Sequence, residues 1–175
     1  DSRWLSNPYV NENTFLTGFS HVNLSGVGCP DLGVIITMPT TGNLEINHLK
    51  YGSTYTDEVA KAGFYSTTLN KYNTKVETTA TTRTGISRYS FPKGKSNILL
   101  NLGLGLTNEQ GGTIKIVSPT EIEGMRNVGS FCYYKADESY PVYFAAKFSE
   151  PSKEFGLWKS TPKYKGVEGQ WMPYN

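Results

Sequence analysis

Gly63-Phe-Tyr-Ser-Thr-Thr-Leu69, Asn70-Lys-Tyr-Asn73 and Lys75-Val-Glu-Thr-Thr-Ala-Thr-Thr-Arg83 are the stretch on which the fold turns. Two runs rich in β-branched and aromatic residues flank a short Asn-bounded turn, which is the pattern of a β-hairpin. Just downstream, Thr84-Gly-Ile-Ser-Arg-Tyr-Ser-Phe91 alternates. Ile86 and Arg88 therefore share one face, Tyr89 and Phe91 the other, until Pro92 ends the ladder. Upstream, Gly33-Val-Ile-Ile-Thr-Met38 reads as a buried strand closed by Pro39 and the turn-like Thr40-Thr41-Gly42. Asn97-Ile-Leu-Leu-Asn-Leu102 is another strand, with Gly103-Leu-Gly-Leu as its bend. Thr113 to Ser118, Glu121 to Asn127, Gly129 to Tyr134 and Val142 to Phe148 bring the total to about nine, at the spacing of a sandwich or barrel. No window of helical period competes; the expected exception is one short helical turn over Thr56 to Lys61, with Asp57 near its start and Gly63 beyond its end. The predicted fold class is all-β, an antiparallel β-sandwich or barrel over residues 1–158. Residues 159–175 lose the strand pattern and are expected to form a linker or surface strap.

The chain has 175 residues, 37% hydrophobic and 18% charged, which suits one domain with a substantial core. No apolar run approaches the ~18 residues of a membrane helix, so no membrane span is expected. There is no N-terminal signal pattern, and the start at Asp1 reads as a cut. A net charge of +2 is too small and too dispersed for a nucleic-acid surface. The one local excess, Lys153, Lys159, Lys163 and Lys165, is interleaved with Glu150, Glu154 and Glu168 and reads as solvated. Cys29 and Cys132 allow a single disulfide, but buried free thiols are the preferred reading.

Only two His and four Asp are available for acid, base or metal chemistry. Gly103-Leu-Gly-Leu and Gly26-Val-Gly-Cys lack the third glycine, the Lys-Ser/Thr pair and the following helix of a phosphate cradle. No CxxC or HExxH spacing and no acidic calcium loop occurs. His21 has Ser25 and Cys29 nearby in sequence, yet a histidine hydrogen-bonded in a turn is favoured over a nucleophile's base. The carboxylates show no clustering of the kind glycoside hydrolysis needs, so catalytic residues: none. Thr17-Gly-Phe-Ser-His-Val-Asn-Leu-Ser-Gly-Val-Gly-Cys29 does stand out, because it packs small and hydrogen-bonding residues between glycines, with Trp4 and Tyr9 upstream. Aromatic faces beside such groups suit a sugar as well as a core. Asn23-Leu-Ser25 is formally an N-glycosylation acceptor.

Gly18-Phe-Ser-His21, Leu24-Ser-Gly26, Gly28-Cys29, Asp31 and Met38-Pro-Thr-Thr-Gly42 together resemble the N-terminal domain of glycoside hydrolase family 92, the calcium-dependent exo-acting α-mannosidases. The likeness continues in order through Ala62-Gly-Phe-Tyr-Ser66, Val76-Glu-Thr-Thr-Ala-Thr-Thr-Arg83, Gly85, Arg88-Tyr-Ser-Phe-Pro92, Asn97-Ile-Leu-Leu-Asn-Leu-Gly103 and Phe155-Gly-Leu-Trp158. The resemblance implies a β-sandwich of the supersandwich, galactose-mutarotase-like type. It implies that the acid, the base and the calcium ligands lie in a separate (α/α)6 domain that this chain lacks. Cofactor-binding and metal residues within the chain are accordingly none.

The same resemblance makes Trp4, Tyr9, His21, Ser25 and Asp31 the substrate-cleft candidates. Trp4 is matched to an aromatic residue lining the leaving-group subsite, while His21, Ser25 and Asp31 either contact the cleft or support the loop behind it, with support favoured. Arg83 and Arg88 are expected to pair with carboxylates on the sheet. The implied partners are mannose-containing glycans and the catalytic domain of the same polypeptide, in a secreted or periplasmic setting. The expected role is that of a cleft-shaping domain of an α-1,2-mannosidase acting with inversion, inactive alone. A stand-alone carbohydrate-binding module or a structural, adhesive sandwich are the alternatives.

Overall fold

A computed structural model describes residues 12–24, 31–105, 109–129, 139–160 and 169–173. In chain order the elements are β1 (Phe15–Leu16), β2 (Val22–Leu24), β3 (Asp31–Val34), β4 (Ile36–Thr41), α1 (His48–Tyr51), β5 (Ser53–Lys61), β6 (Phe64–Leu69), β7 (Thr74–Ala80), β8 (Gly85–Ser90), β9 (Ser96–Asn101), β10 (Glu109–Ser118), β11 (Glu121–Gly129), β12 (Ser139–Lys147), β13 (Gly156–Ser160) and β14 (Gly169–Pro173). All pairings are antiparallel: a five-stranded sheet β1-β5-β6-β7-β8, a three-stranded sheet β10-β11-β12, and the pairs β2-β3, β4-β9 and β13-β14. The all-β sandwich is therefore the architecture.

The hairpin that opens the sequence reading is β6-β7, in unbroken register from Phe64 opposite Thr79 to Leu69 opposite Thr74. Its turn closes on Asn73 in the left-handed region (φ 46), which Asn tolerates better than most side chains. Alternation then sets the layers. Leu69 and Val76 on the five-stranded sheet face Met38 of β4 and Leu99 of β9, with Tyr51 and Tyr72 completing a buried core. Phe19, Tyr89 and Trp158 pack against its margin. In β8 the expected parity holds, with Tyr89 partly covered and Ile86 and Arg88 exposed.

Two local expectations need correction. Thr56 to Lys61 is strand rather than helical turn: β5 finds its backbone partners in β6, and a bulge between Thr56 and Val59 places Asp57 at φ 55. The short helix lies earlier, where the Asn47 side chain accepts a bond from the Leu49 amide and caps His48–Tyr51. The apolar run at 33–38 is not one strand closed by Pro39. Ile35 at φ 58 breaks it into β3 and β4, and β4 continues through Pro39, opposite Ile98, to Thr41. Pro39 is tolerated because the Thr37 amide points away from β9, toward the Phe19 carbonyl at 2.9 Å. Residue 39 has the same parity, so its missing N–H removes no bond to β9. Cys29, Cys132 and most of the strand expected at 129–134 lie outside the described residues.

The buried polar groups of Asn101, Tyr51 and Tyr72 are paired with one another and with the backbone. Asn101 donates from Nδ2 to the Tyr51 hydroxyl at 3.0 Å and accepts the Gly103 amide at 2.8 Å. Tyr72 donates its hydroxyl to the Tyr51 carbonyl at 2.7 Å, and burial first, then Glu45 and Tyr51, pushes its pKa up to about 12. These bonds fix how α1 sits across the layers, since an unmade bond to a buried hydroxyl costs more than a made one contributes.

Candidate functional site

The segment Gly18 to Val22 is the part of the predicted site that lies within the described residues, and it is fastened on two sides. Phe19 bridges to Thr37 of β4 through both amides, at 2.8 and 2.9 Å. Ser20 donates its hydroxyl to the Val34 carbonyl at 2.5 Å and accepts the Val22 amide at 3.1 Å, so one side chain closes the turn and ties it to β3. Gly18 makes this close approach possible: at φ 151, a Cβ there would overlap the Ile36 side chain and the Thr37 carbonyl.

His21 reaches the other layer. Its Nε2 lies 2.9 Å from Ser87 Oγ on β8, and its ring rests where a side chain at Gly85 would stand. Burial of the ring lowers its pKa below the ordinary imidazole value, which favours the neutral form around pH 7. On the same face of β8, Tyr89 shares a 2.8 Å hydroxyl contact with Thr37. One segment thus joins β4 to β8 through Phe19, Thr37, Tyr89, His21 and Ser87.

Gly85 enters the sequence reading as part of the family likeness, and Ser87 only as a member of the alternating run whose parity was readable. The parity puts Ser87 with Tyr89, on the inward face; what it does not supply is the partner 66 residues away. Asp31 lies in β3, opposite Leu24 of β2, so its backbone is close in the fold to the segment that follows His21. Trp4, Tyr9 and Ser25 lie outside the described residues. Arg88 pairs with a sheet carboxylate as expected: its Nε is 2.6 Å from Glu77, which Lys75 also approaches at 3.2 Å. Those two cations, Arg88 foremost, hold the Glu77 carboxyl down at about pKa 2.

Chemically, the described part of the segment presents a fixed surface. Among the described residues, no three His, Cys, Asp or Glu side chains lie close enough to hold a metal ion, so these residues do not fit a calcium site. Nor is any described helix long and apolar enough to cross a membrane.

The chain matches the family model of the glycosyl hydrolase family 92 N-terminal domain over residues 1–171. It is similar to two solved structures of a family GH92 alpha-mannosidase from Bacteroides thetaiotaomicron, one of them in complex with mannoimidazole, each with a TM-score of 0.78 and 25% identity. The likeness covers 98% of this chain and 25% of the mannosidase chain, so the chain spans about a quarter of the length of those enzymes. No curated protein matches it.

Proposed function

The chain belongs to glycosyl hydrolase family 92 as an N-terminal domain of that family, and from that premise we propose that it forms the non-catalytic wall of the substrate cleft in an α-mannosidase. The match along nearly the whole chain carries this reading. The substrate is a terminal α-linked mannose, with the α-1,2 linkage as the favoured case. Hydrolysis proceeds with inversion, which requires a general acid and a general base about 6.5–9.5 Å apart with water between them. Both carboxylates, and calcium, are assigned to an (α/α)6 domain of the same polypeptide, working outside the cytoplasm.

Within this division the β-sandwich orients. The Gly18 to Val22 segment is held by backbone bonds to β4 and by the His21 bond to Ser87, and a wall held in this way keeps its position when a sugar arrives. Such rigidity supports catalysis through positioning, because a reacting group displaced by about 1 Å loses roughly a hundredfold in rate. His21 is a positioning residue in this scheme, acting through the segment it anchors.

Release of mannose or of an aryl leaving group from an aryl α-mannoside tests the proposal. The 175-residue chain alone is expected to give no turnover above buffer, whereas the same chain continued into a family 92 catalytic domain is expected to turn over. Turnover by the isolated chain overturns the division of labour.

A further inference from the structure

The outward face of the β10-β11-β12 sheet carries the most exposed large apolar side chain among the described residues, Tyr143, at 75%. Met125 lies directly opposite it on β11, and Asn127 and Glu123 stand opposite Pro141 and Ala145, its same-face neighbours on β12. Tyr143 thus stands on this face between the register positions of an amide and a carboxylate, with Met125, Pro141 and Ala145 as its nearest face neighbours. Lys115 of β10 donates to the Glu123 carboxylate from the far side at 2.9 Å.

Three classes of occupant are separable by charge. An apolar protein surface seated here would have to desolvate Glu123 and Lys115 beside the ring, a cost their mutual attraction does not reliably return. A nucleic acid would meet the carboxylates of Glu121 and Glu123 beside Lys115 and Lys147, with no excess of positive charge. A neutral polyhydroxylated ligand meets neither obstacle. The apolar face of a pyranose stacks on the exposed ring, and its hydroxyls donate to Glu123 and exchange bonds with Asn127.

We propose that this face is a glycan-binding subsite, separate from the Gly18 to Val22 segment, with a pyranose stacked on Tyr143 and hydroxyls bonded to Glu123 and Asn127. The two polar groups are four residues apart along β11, roughly 13 Å. One pyranose on the ring is shorter than that span, so the ligand is a run of linked sugars. The subsite rests on the geometry of this sheet; only the choice of mannose as its sugar rests on the function proposed above.

Native electrophoresis of the 175-residue chain through gels containing yeast mannan, and through parallel gels containing dextran, tests it. Mannan is expected to retard the chain, Tyr143→Ala to weaken retention about tenfold, and Tyr143→Trp to preserve it, since a larger ring stacks at least as well. The exposed position lets both variants keep the fold. Retention by dextran alone, lost in Tyr143→Ala, supports the subsite and counts against mannose as its sugar. Absence of retention by either polysaccharide, or equal retention of the wild-type chain and Tyr143→Ala, overturns the proposal. So does self-association through this face without retention.

Discussion

The core between the five-stranded sheet and β4-β9 and the three-stranded sheet β10-β11-β12 solve different problems with the same alternation. In the first region both layers contribute: Leu69 and Val76 on one side and Met38 and Leu99 on the other are buried together, and Tyr51, Tyr72 and Asn101 satisfy one another within the core. In the second, β11 buries Ile122, Arg126 and Val128 on one face, while the opposite face leaves Tyr143 and the Lys115–Glu123 pair in solvent. The difference teaches where this chain holds its stability and where its surface is free to meet a ligand.

The comparison breaks most readily in the core. Leu69→Ala removes a fully buried side chain and is expected to cost about 2–5 kcal/mol by transfer and cavity terms, read as a lower denaturant midpoint with unchanged slope. A loss under about 1 kcal/mol would mean that the two layers are not packed as described. Next in size is Asn101→Ala, which strips partners from the Tyr51 hydroxyl and the Gly103 amide; the expected cost is about 1–3 kcal/mol. Adding Tyr51→Phe should recover part of that loss, because the orphaned hydroxyl goes with it, and purely additive losses would deny the coupling.

A smaller effect sharpens the contrast at the His21 segment. Burial keeps the folded-state pKa of His21 below its ordinary 6.5, so on acidification the unfolded chain takes up a proton before the folded one. Stability is therefore expected to fall as pH drops below about 6.5, and to flatten at the folded-state pKa. His21→Gln, which keeps a donor for Ser87, should remove that part of the slope. An identical pH profile in wild type and variant would show that the ring is not desolvated.

Much of the fold was legible because its decisive patterns are local. The β6-β7 hairpin shows in its residue types and its Asn-bounded turn, and the faces of β8 show in strict alternation. The misreadings arise where long-range pairing overrides local preference. Asp57 resembles a helix start, yet β5 satisfies its backbone through β6. Pro39 resembles a stop, yet its parity within β4 makes the absent N–H harmless. The candidate site was legible as a segment and as a family likeness, but not as a set of contacts: nothing near His21 in the sequence announces Gly85 or Ser87.

The Gly18 to Val22 segment serves as a cleft wall only if it is part of the rigid sandwich, and amide hydrogen exchange at Phe19 and Thr37 tests that most directly. Each donates to the other's carbonyl, and His21 secures the same segment to β8. In the wild-type chain both amides are expected to exchange as slowly as those of β6 and β7. In Gly85→Ala, whose methyl group displaces the His21 ring, they should exchange at least about tenfold faster, while Leu69 and Val76 stay protected. Fast exchange in the wild-type chain, or no change in the variant, would contradict the anchored wall on which the proposed function rests.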